Sequence, residues 1–108
     1  MYSTDGSDRS ARLLANVEQT RELLARVGEG HWESWMGAAR RELIAHDAHS
    51  LDRLLGAFGG MGSFNDLVVH PINGHNVTDA EAKAVNIELD RLRDALYEAA
   101  TALRRSLK

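Results

Sequence analysis

Apolar residues recur at helical spacing in three long stretches of this chain. The first stretch can be capped by Ser7 or Asp8 and runs to about Arg26. Its apolar face, interrupted near Thr20, consists of Leu13, Leu14, Val17, Leu23, Leu24 and Val27. Gly28 follows, and a glycine just past the last periodic residue is typical of a helix C-terminus.

The second stretch covers residues 31–45 and carries both tryptophans of the chain. Its apolar stripe follows the i, i+3, i+4, i+7, i+11 pattern and consists of Trp32, Trp35, Met36, Ala39 and Leu43. We interpret the tryptophans as core aromatics, with an aromatic platform for a ligand as the alternative. Residues 46–50 interrupt the pattern. A short third helix is predicted over residues 50–57, and its inward positions are Leu51, Leu54, Leu55 and Phe58.

The last helix has the clearest signals in the sequence. Thr78 and Glu81 form a capping box at its start. Its heptad-like seam consists of Val85, Leu89, Leu92, Leu96, Ala99, Leu103 and Leu107. The opposite face is predicted to be a solvated charged surface of Glu88, Asp90, Arg91, Arg93, Asp94 and Glu98. We expect the seam to pack against the first two helices, with a dimer seam as the alternative.

A glycine-rich loop separates the short third helix from the last helix. Phe58, Met61 and Phe64 recur at every third position among its glycines, so we expect an ordered loop in which all three side chains are mostly buried. Residues 67–69 are predicted to be an extended segment lying across helices. Asn86, one step from the seam, can reach across to satisfy loop backbone groups.

The loop concentrates polar side chains but contains no lysine or arginine. The candidate binding residues are Asn65, Asp66, His70, Asn73, His75 and Asn76. Long structured loops are often functional in helical domains. Two interpretations stay open: these side chains hold an irregular loop together, or they form a neutral-to-acidic recognition surface.

Length and composition limit the function classes. The 108 residues suffice for one domain, which we place at residues 8–108 after a frayed tail of residues 1–7. A formal net charge of −3 argues against nucleic-acid binding. The sequence has no cysteine, no apolar signal core and no apolar run near the roughly 18 residues of a membrane span. These features predict a cytoplasmic protein.

Catalytic and metal-binding patterns are not recognisable in the sequence. His46 and His49 are three residues apart, whereas the helical zinc pair needs a spacing of four with a glutamate between. Ser63 does not lie in a Gly-x-Ser-x-Gly elbow, and no lysine follows the glycines as a phosphate loop requires. We therefore expect no metal, no cofactor and no enzymatic activity.

Several segments together resemble one family, a small bacterial domain of unknown function. The most specific is the string Phe58-Gly59-Gly60-Met61-Gly62-Ser63-Phe64-Asn65-Asp66, accompanied by Trp32-x-x-Trp35, Asn73-Gly74-His75 and Asn86. The resemblance implies no activity, substrate or cofactor. Small helical proteins of this kind are similar to bacterial immunity or accessory proteins, which is an analogy of fold.

The sequence therefore predicts an all-α bundle of three longer helices and one short helix, with a long ordered Gly/Asn-rich loop. We expect a non-enzymatic protein-interaction module, such as an immunity protein that binds and blocks a toxin. The alternative is a small-ligand or metal-binding domain, enzymes included, with its site between the glycine loop and the tryptophan helix. The partner is expected to be another protein, not a nucleic acid or a membrane. The chain itself is expected to be a monomer or a weak homodimer.

Overall fold

A computed structural model describes residues 5–59 and 62–107 of the chain. Four α-helices account for most of this part: α1 (Asp5–Arg26), α2 (Gly30–Ile44), α3 (His49–Gly56) and α4 (Asp79–Ser106). Two short 3₁₀ turns, Phe64–Asp66 and Pro71–Asn73, lie in the connection between α3 and α4. No strand occurs among the residues described, so the all-α prediction is confirmed.

Helix α1 begins earlier than the sequence pattern predicted, and it ends at Arg26, as the position of Gly28 predicted. Its start at Asp5 places part of the predicted tail inside the helix, while residues 1–4 lie outside the described part. At its end, Gly28 adopts a left-handed φ of 75°. The Glu29 N–H then bonds the Leu24 carbonyl at 2.8 Å and the Gly28 N–H bonds the Ala25 carbonyl at 3.1 Å. This pair of bonds is a Schellman ending.

The end of α2 uses the same device without a glycine. His46 has a φ of 57°, and its N–H bonds the Leu43 carbonyl while the Asp47 N–H bonds the Glu42 carbonyl. A left-handed conformation is costly for a residue with a Cβ. The predicted interruption at residues 46–50 is thus a tight turn made by these two hydrogen bonds, and α3 starts directly after it at His49.

The core lies where α1 contacts α2 and α4, and where α3 contacts α2 and α4. Its fully buried large side chains come from every α-helix and from the loop; they include Leu13, Val17, Leu24, Met36, Leu54, Phe64, Val69, Leu89, Leu92 and Leu96. Trp32 is buried and Trp35 is half-buried, which supports the interpretation of the tryptophans as core aromatics.

Helix α4 sets the length of the molecule. Its 28 residues rise about 42 Å at 1.5 Å per residue, close to the longest dimension of 51 Å. The capping box is present, with the Thr78 hydroxyl accepting from the Glu81 N–H and the Glu81 carboxylate accepting from the Thr78 N–H. Most of the seam is buried within the monomer, but Val85 is half-buried and Leu107 is 63% exposed.

One residue of the predicted solvated face of α4 is in fact buried. Arg93 is only 8% exposed, because the loop between α3 and α4 covers this part of the helix. The other five residues of that face are exposed or half-buried.

The expectation for the glycine-loop aromatics is confirmed in part. Phe64 is fully buried, whereas Phe58 is half-buried and packs against the edge of the core. Met61 lies outside the described residues.

Candidate functional site

The connection between α3 and α4 is ordered by side chains, because regular backbone pairing is sparse within it. We call residues 62–78 the α3–α4 loop. The first 3₁₀ turn is tied to α3 by the Phe64 N–H, which bonds the Ala57 carbonyl at 2.8 Å. The Ser63 hydroxyl accepts from the Asn65 N–H, and the Asp66 carboxylate accepts from the Gly62 N–H at 2.7 Å.

Arg93 is the first long-range anchor of this loop. Its Nη1 donates to the backbone carbonyls of Phe64 at 2.8 Å and Leu67 at 2.9 Å, and its Nη2 pairs with Asp90. The guanidinium carbon also lies 5.8 Å from the centroid of the Phe64 ring. Burying an arginine is costly unless its N–H groups have hydrogen-bond acceptors. Here the acceptors are two loop carbonyls and one carboxylate.

Asn86 is the second anchor. Its Oδ1 accepts from the Val69 N–H at 2.8 Å, and its Nδ2 donates to the Val69 carbonyl at 2.8 Å and to the Ala82 carbonyl at 2.8 Å. The amide therefore pairs both backbone groups of an extended residue, as a neighbouring strand would. The structure confirms the prediction that Asn86 serves the loop backbone.

The third anchor is a pair formed by the buried His75 and the half-buried Glu29. His75 Nδ1 accepts from the His70 N–H at 3.1 Å, so the neutral ring carries its proton on Nε2, which lies 2.9 Å from Glu29 Oε1. Burial alone would raise the pKa of Glu29. The hydrogen bonds from His75 and from the Trp32 N–H outweigh burial, so the pKa of this carboxylate is lowered.

The second 3₁₀ turn is fixed in the same way. His70 Nδ1 accepts from the Ile72 N–H at 3.1 Å, its Nε2 lies 3.3 Å from Asp79, and Asn73 Nδ2 donates to the Val68 carbonyl at 3.0 Å. Gly74 closes the turn with a φ of 84°. The turn is therefore held in one conformation by side chains on both sides of it.

This fixed turn displays two apolar side chains to solvent. Ile72 is 85% exposed and Val68 is 55% exposed, although the intervening Val69 is fully buried. Sequence reasoning missed both residues because it followed the polar side chains of the loop. An isoleucine directly after a proline in a fixed turn was the available signal, since its neighbours constrain the direction of its side chain.

Five of the six predicted binding residues are exposed or half-buried, and the sixth, His75, is buried. Asn65, Asn73 and Asn76 are exposed, and His70 is half-buried. Asp66 is exposed but holds the loop through Gly62, so its substitution would also disturb the turn. His75 is 8% exposed, and its ring nitrogens are used internally, which corrects its assignment to a recognition surface.

We define the loop surface as five exposed residues of the α3–α4 loop, namely Asn65, Val68, Ile72, Asn73 and Asn76. Asp66 is also exposed but is engaged by the Gly62 N–H. The loop surface combines two apolar side chains with three amides. No lysine or arginine occurs between Arg53 and Lys83, so the loop surface carries no positive charge of its own.

Aromatic rings fill the space between the glycine loop and the tryptophan helix. The ring centroids of Trp32 and Phe64 lie 5.3 Å apart, and the series continues from Trp32 to Trp35 at 5.2 Å and from Phe64 to Phe58 at 5.9 Å. Trp35 Nε1 donates to the Arg53 carbonyl at 2.9 Å, so its polar atom is also used. These contacts occupy the position at which a ligand between the two elements would bind.

The described part of the chain contains neither a cluster typical of a metal site nor a helix typical of a membrane span. No group of three or more histidine, aspartate and glutamate side chains there has the arrangement of a metal site. Within the same ranges, no helix combines the length and the apolar character that crossing a bilayer requires.

Comparison with known proteins gives one match. No curated protein and no solved structure is significantly similar to the chain. A family described as Domain of unknown function (DUF6966) matches residues 25–78, which begin at the end of α1 and extend through the α3–α4 loop to the cap of α4. The match thus covers half of the chain, including both tryptophans and the loop surface, and the chain belongs to the DUF6966 family.

Proposed function

We propose that this chain is a non-enzymatic protein-interaction module that binds its partner through the loop surface. An immunity protein that binds and blocks a toxin is the specific form we propose. The conclusion depends on chemistry and geometry of the loop, because the family has no assigned function.

The observation that carries the proposal is the exposure of Ile72 on a fixed turn. At 85% exposure, the Ile72 side chain is not stabilised by the fold. Its backbone is nevertheless held in place, because the Ile72 N–H donates to His70 Nδ1. Two further hydrogen bonds fix the turn around it, one from the His70 N–H to His75 Nδ1 and one from Asn73 Nδ2 to the Val68 carbonyl. An apolar side chain on a preorganised turn can bury itself in a partner's pocket without an additional ordering cost. Val68, joined to the same turn through Asn73, extends the apolar contact.

Charge indicates what kind of partner fits. The loop lacks lysine and arginine, and α4 beside it presents Asp94 and Glu98 one turn apart, whereas Asp90 on the same face is neutralised by Arg93. This side of the molecule is therefore acidic. Electrostatic complementarity would favour a partner with a basic surface and would accelerate its association.

The ligand-binding alternative receives less support. Its site was expected between the glycine loop and the tryptophan helix, where the rings of Trp32 and Phe64 are in contact. A ligand there would have to displace core side chains. An enzyme would also need a nucleophile or base positioned by a third group, and the described histidines with ring contacts to carboxylates are held in turns and caps instead.

The test is affinity capture from the organism that encodes the chain, with wild type and Ile72→Ser as baits. Ile44→Ser is the matched control, because Ile44 is 51% exposed at the far end of α2, about 20 Å along the helix axis from Glu29. We expect a partner that wild type and Ile44→Ser retain and that Ile72→Ser loses. Co-expression of that partner should then arrest growth, and the wild-type chain should relieve the arrest.

Three other outcomes would separate the two parts of the proposal. A partner lost with Ile72→Ser whose expression is harmless would leave the interaction module intact and exclude the immunity role. A partner retained equally by Ile72→Ser and wild type would show that the loop surface is not the binding site. Co-purification of a stoichiometric small molecule with no protein partner would instead support the ligand-binding alternative.

A further inference from the structure

We propose that a groove beside the loop surface receives an arginine side chain of the partner protein. This inference rests on the proposed function and specifies the partner's chemistry. The groove, which we call the Phe58–Tyr97 groove, has a volume of about 400 Å³. It lies between the end of α3, the first 3₁₀ turn and α4, and its lining residues are Phe58, Asn65, Arg93, Asp94, Tyr97 and Glu98.

Two aromatic rings form the apolar part of this groove. Phe58 and Tyr97 meet edge to face, with ring centroids 5.3 Å apart and planes at 73°. Tyr97 remains 49% exposed, which is high for an aromatic side chain already packed against a second ring. A guanidinium placed over an aromatic face is attracted by the ring quadrupole and covers apolar surface as well.

Two carboxylates form the charged part. Asp94 and Glu98 lie four residues apart on α4 and therefore project from the same side of the helix. Neither forms an ion pair or a side-chain hydrogen bond with any other residue that the structure describes, unlike Asp90, which pairs with Arg93. The groove thus offers two uncompensated negative charges beside the aromatic rings.

The positive charges near the groove do not cancel these carboxylates. Arg93 lies at its base, but its guanidinium is committed to Asp90 and to the carbonyls of Phe64 and Leu67. Glu98 also borders a neighbouring groove lined by Arg9 and Arg12, yet it pairs with neither of them within the described chain. A cation from outside is therefore the complementary occupant.

Continuity with the loop surface indicates that the occupant belongs to the same partner. Asn65 is part of both the loop surface and the groove lining. Ile72 lies near the start of α4, because the ring of His70 is 3.3 Å from Asp79, whereas Tyr97 lies about 27 Å further along the helix. A partner that covers the loop surface from Ile72 to Asn65 can therefore place a separate side chain in the groove. Arginine fits better than lysine, because a planar guanidinium can stack on a ring and donate to both carboxylates through separate N–H groups.

The inference can be tested without a known partner. The probe is N-acetyl-arginine-N-methylamide, added to ¹⁵N-labelled protein and followed by backbone amide shifts. The neutral comparison is N-acetyl-citrulline-N-methylamide, which has nearly the same shape without the charge. We expect saturable shifts confined to Asn65, Asp94, Tyr97, Glu98 and their neighbours, with arginine only.

Variants then assign the binding to the groove. Asp94→Asn combined with Glu98→Gln should weaken arginine binding at least about threefold, as expected when two exposed charges are removed. Tyr97→Leu, which keeps an apolar side chain, should also weaken it through loss of the cation–π contact. Glu22→Gln is the control, because Glu22 is an exposed carboxylate on α1 outside the groove; it should leave the affinity unchanged.

Two results would overturn the inference. Equal shifts with citrulline would exclude charge recognition, and arginine shifts spread over all exposed carboxylates and unchanged in the Asp94/Glu98 variant would indicate adventitious binding only. Failure here is distinguishable from failure of the proposed function. If Ile72→Ser loses the captured partner while the groove variants keep it, the interaction module stands and the arginine site falls.

Discussion

Replacing Asn86 with alanine should destabilise the protein through a segment that lies outside every helix. The Asn86 amide makes three hydrogen bonds of 2.8 Å, and two of them pair the N–H and the carbonyl of Val69. Val69 itself is fully buried. Alanine at position 86 would leave both backbone groups without their partner in a region from which water is largely excluded.

The magnitude follows from opposing contributions. An unpaired buried donor or acceptor costs about 1–3 kcal/mol. The substitution removes the partner of two such groups, the N–H and the carbonyl of Val69. Asn86 is half-buried, so water can replace part of what is lost. Alanine also has the better helix propensity, by about 0.5 kcal/mol. We therefore expect the free energy of unfolding to fall by about 2–4 kcal/mol.

The assay is urea unfolding of Asn86→Ala, combined with hydrogen exchange at the Val69 amide. Asn76→Ala is the matched control, because Asn76 is exposed and its backbone N–H, which bonds the Val27 carbonyl at 2.8 Å, is unaffected by the substitution. The control should stay within about 0.5 kcal/mol of wild type. A loss below about 0.5 kcal/mol for Asn86→Ala, with the Val69 amide still protected, would refute the anchoring role.

Three further predictions follow from the packing and the charges. Phe64→Ala should lower the free energy of unfolding by about 3–5 kcal/mol and the half-buried Phe58→Ala by about half as much, measured by urea unfolding; equal losses would contradict the difference in burial. His46→Gly should raise the thermal midpoint, with a gain of about 1 kcal/mol, because glycine relieves the left-handed conformation at φ 57°; an unchanged or lower midpoint would count against strain there. Because the pKa of Glu29 is lowered in the folded state, its carboxylate stabilises the fold at pH values above its unfolded-state pKa, and this contribution disappears as the pH falls through the folded-state pKa. The stability difference between wild type and Glu29→Gln should therefore be largest near neutral pH and shrink below about pH 4. Unfolding measured across this pH range would contradict the prediction if the difference stayed constant.

The helices were predictable because periodicity and end signals act locally. The spacing of apolar residues in α2 and α4 fixed which faces are buried, and Thr78 with Glu81 fixed the start of α4. The ending of α1 at Gly28 required only the ability of glycine to take a positive φ. Each of these features involves residues within a few positions of one another, so the sequence alone contains the needed information.

The path of the α3–α4 loop was not predictable from the sequence. The burial of Arg93 and His75 and the exposure of Ile72 all depend on that path. The loop runs back along α4, so Val69 meets Asn86, Phe64 meets Arg93 and Phe58 meets Tyr97. Nothing periodic encodes this course. The charged neighbours of Arg93 in sequence predict a solvated position, because the loop that covers it is distant in sequence.

The same limitation explains His75 and Ile72. A histidine in a polar loop gives no indication that a carboxylate from the α1–α2 turn lies 2.9 Å from its ring. Conversely, apolar Ile72 would be expected in the interior on hydrophobicity alone, yet the turn that His70 fixes directs it to solvent. Both outcomes depend on contacts between segments, which one sequence does not reveal.

The loop thus separates side chains that maintain the fold from side chains available for binding. Those that maintain it come from outside the loop or point inward, as Arg93, Asn86 and the Glu29–His75 pair do. Ile72 points outward and makes no contribution to the core. A substitution at Ile72 can therefore change recognition at nearly constant stability, whereas a substitution at an anchor alters recognition only by releasing the loop. Because these two effects differ in their unfolding free energies, measuring stability alongside capture distinguishes a residue that contacts the partner from one that positions such a residue.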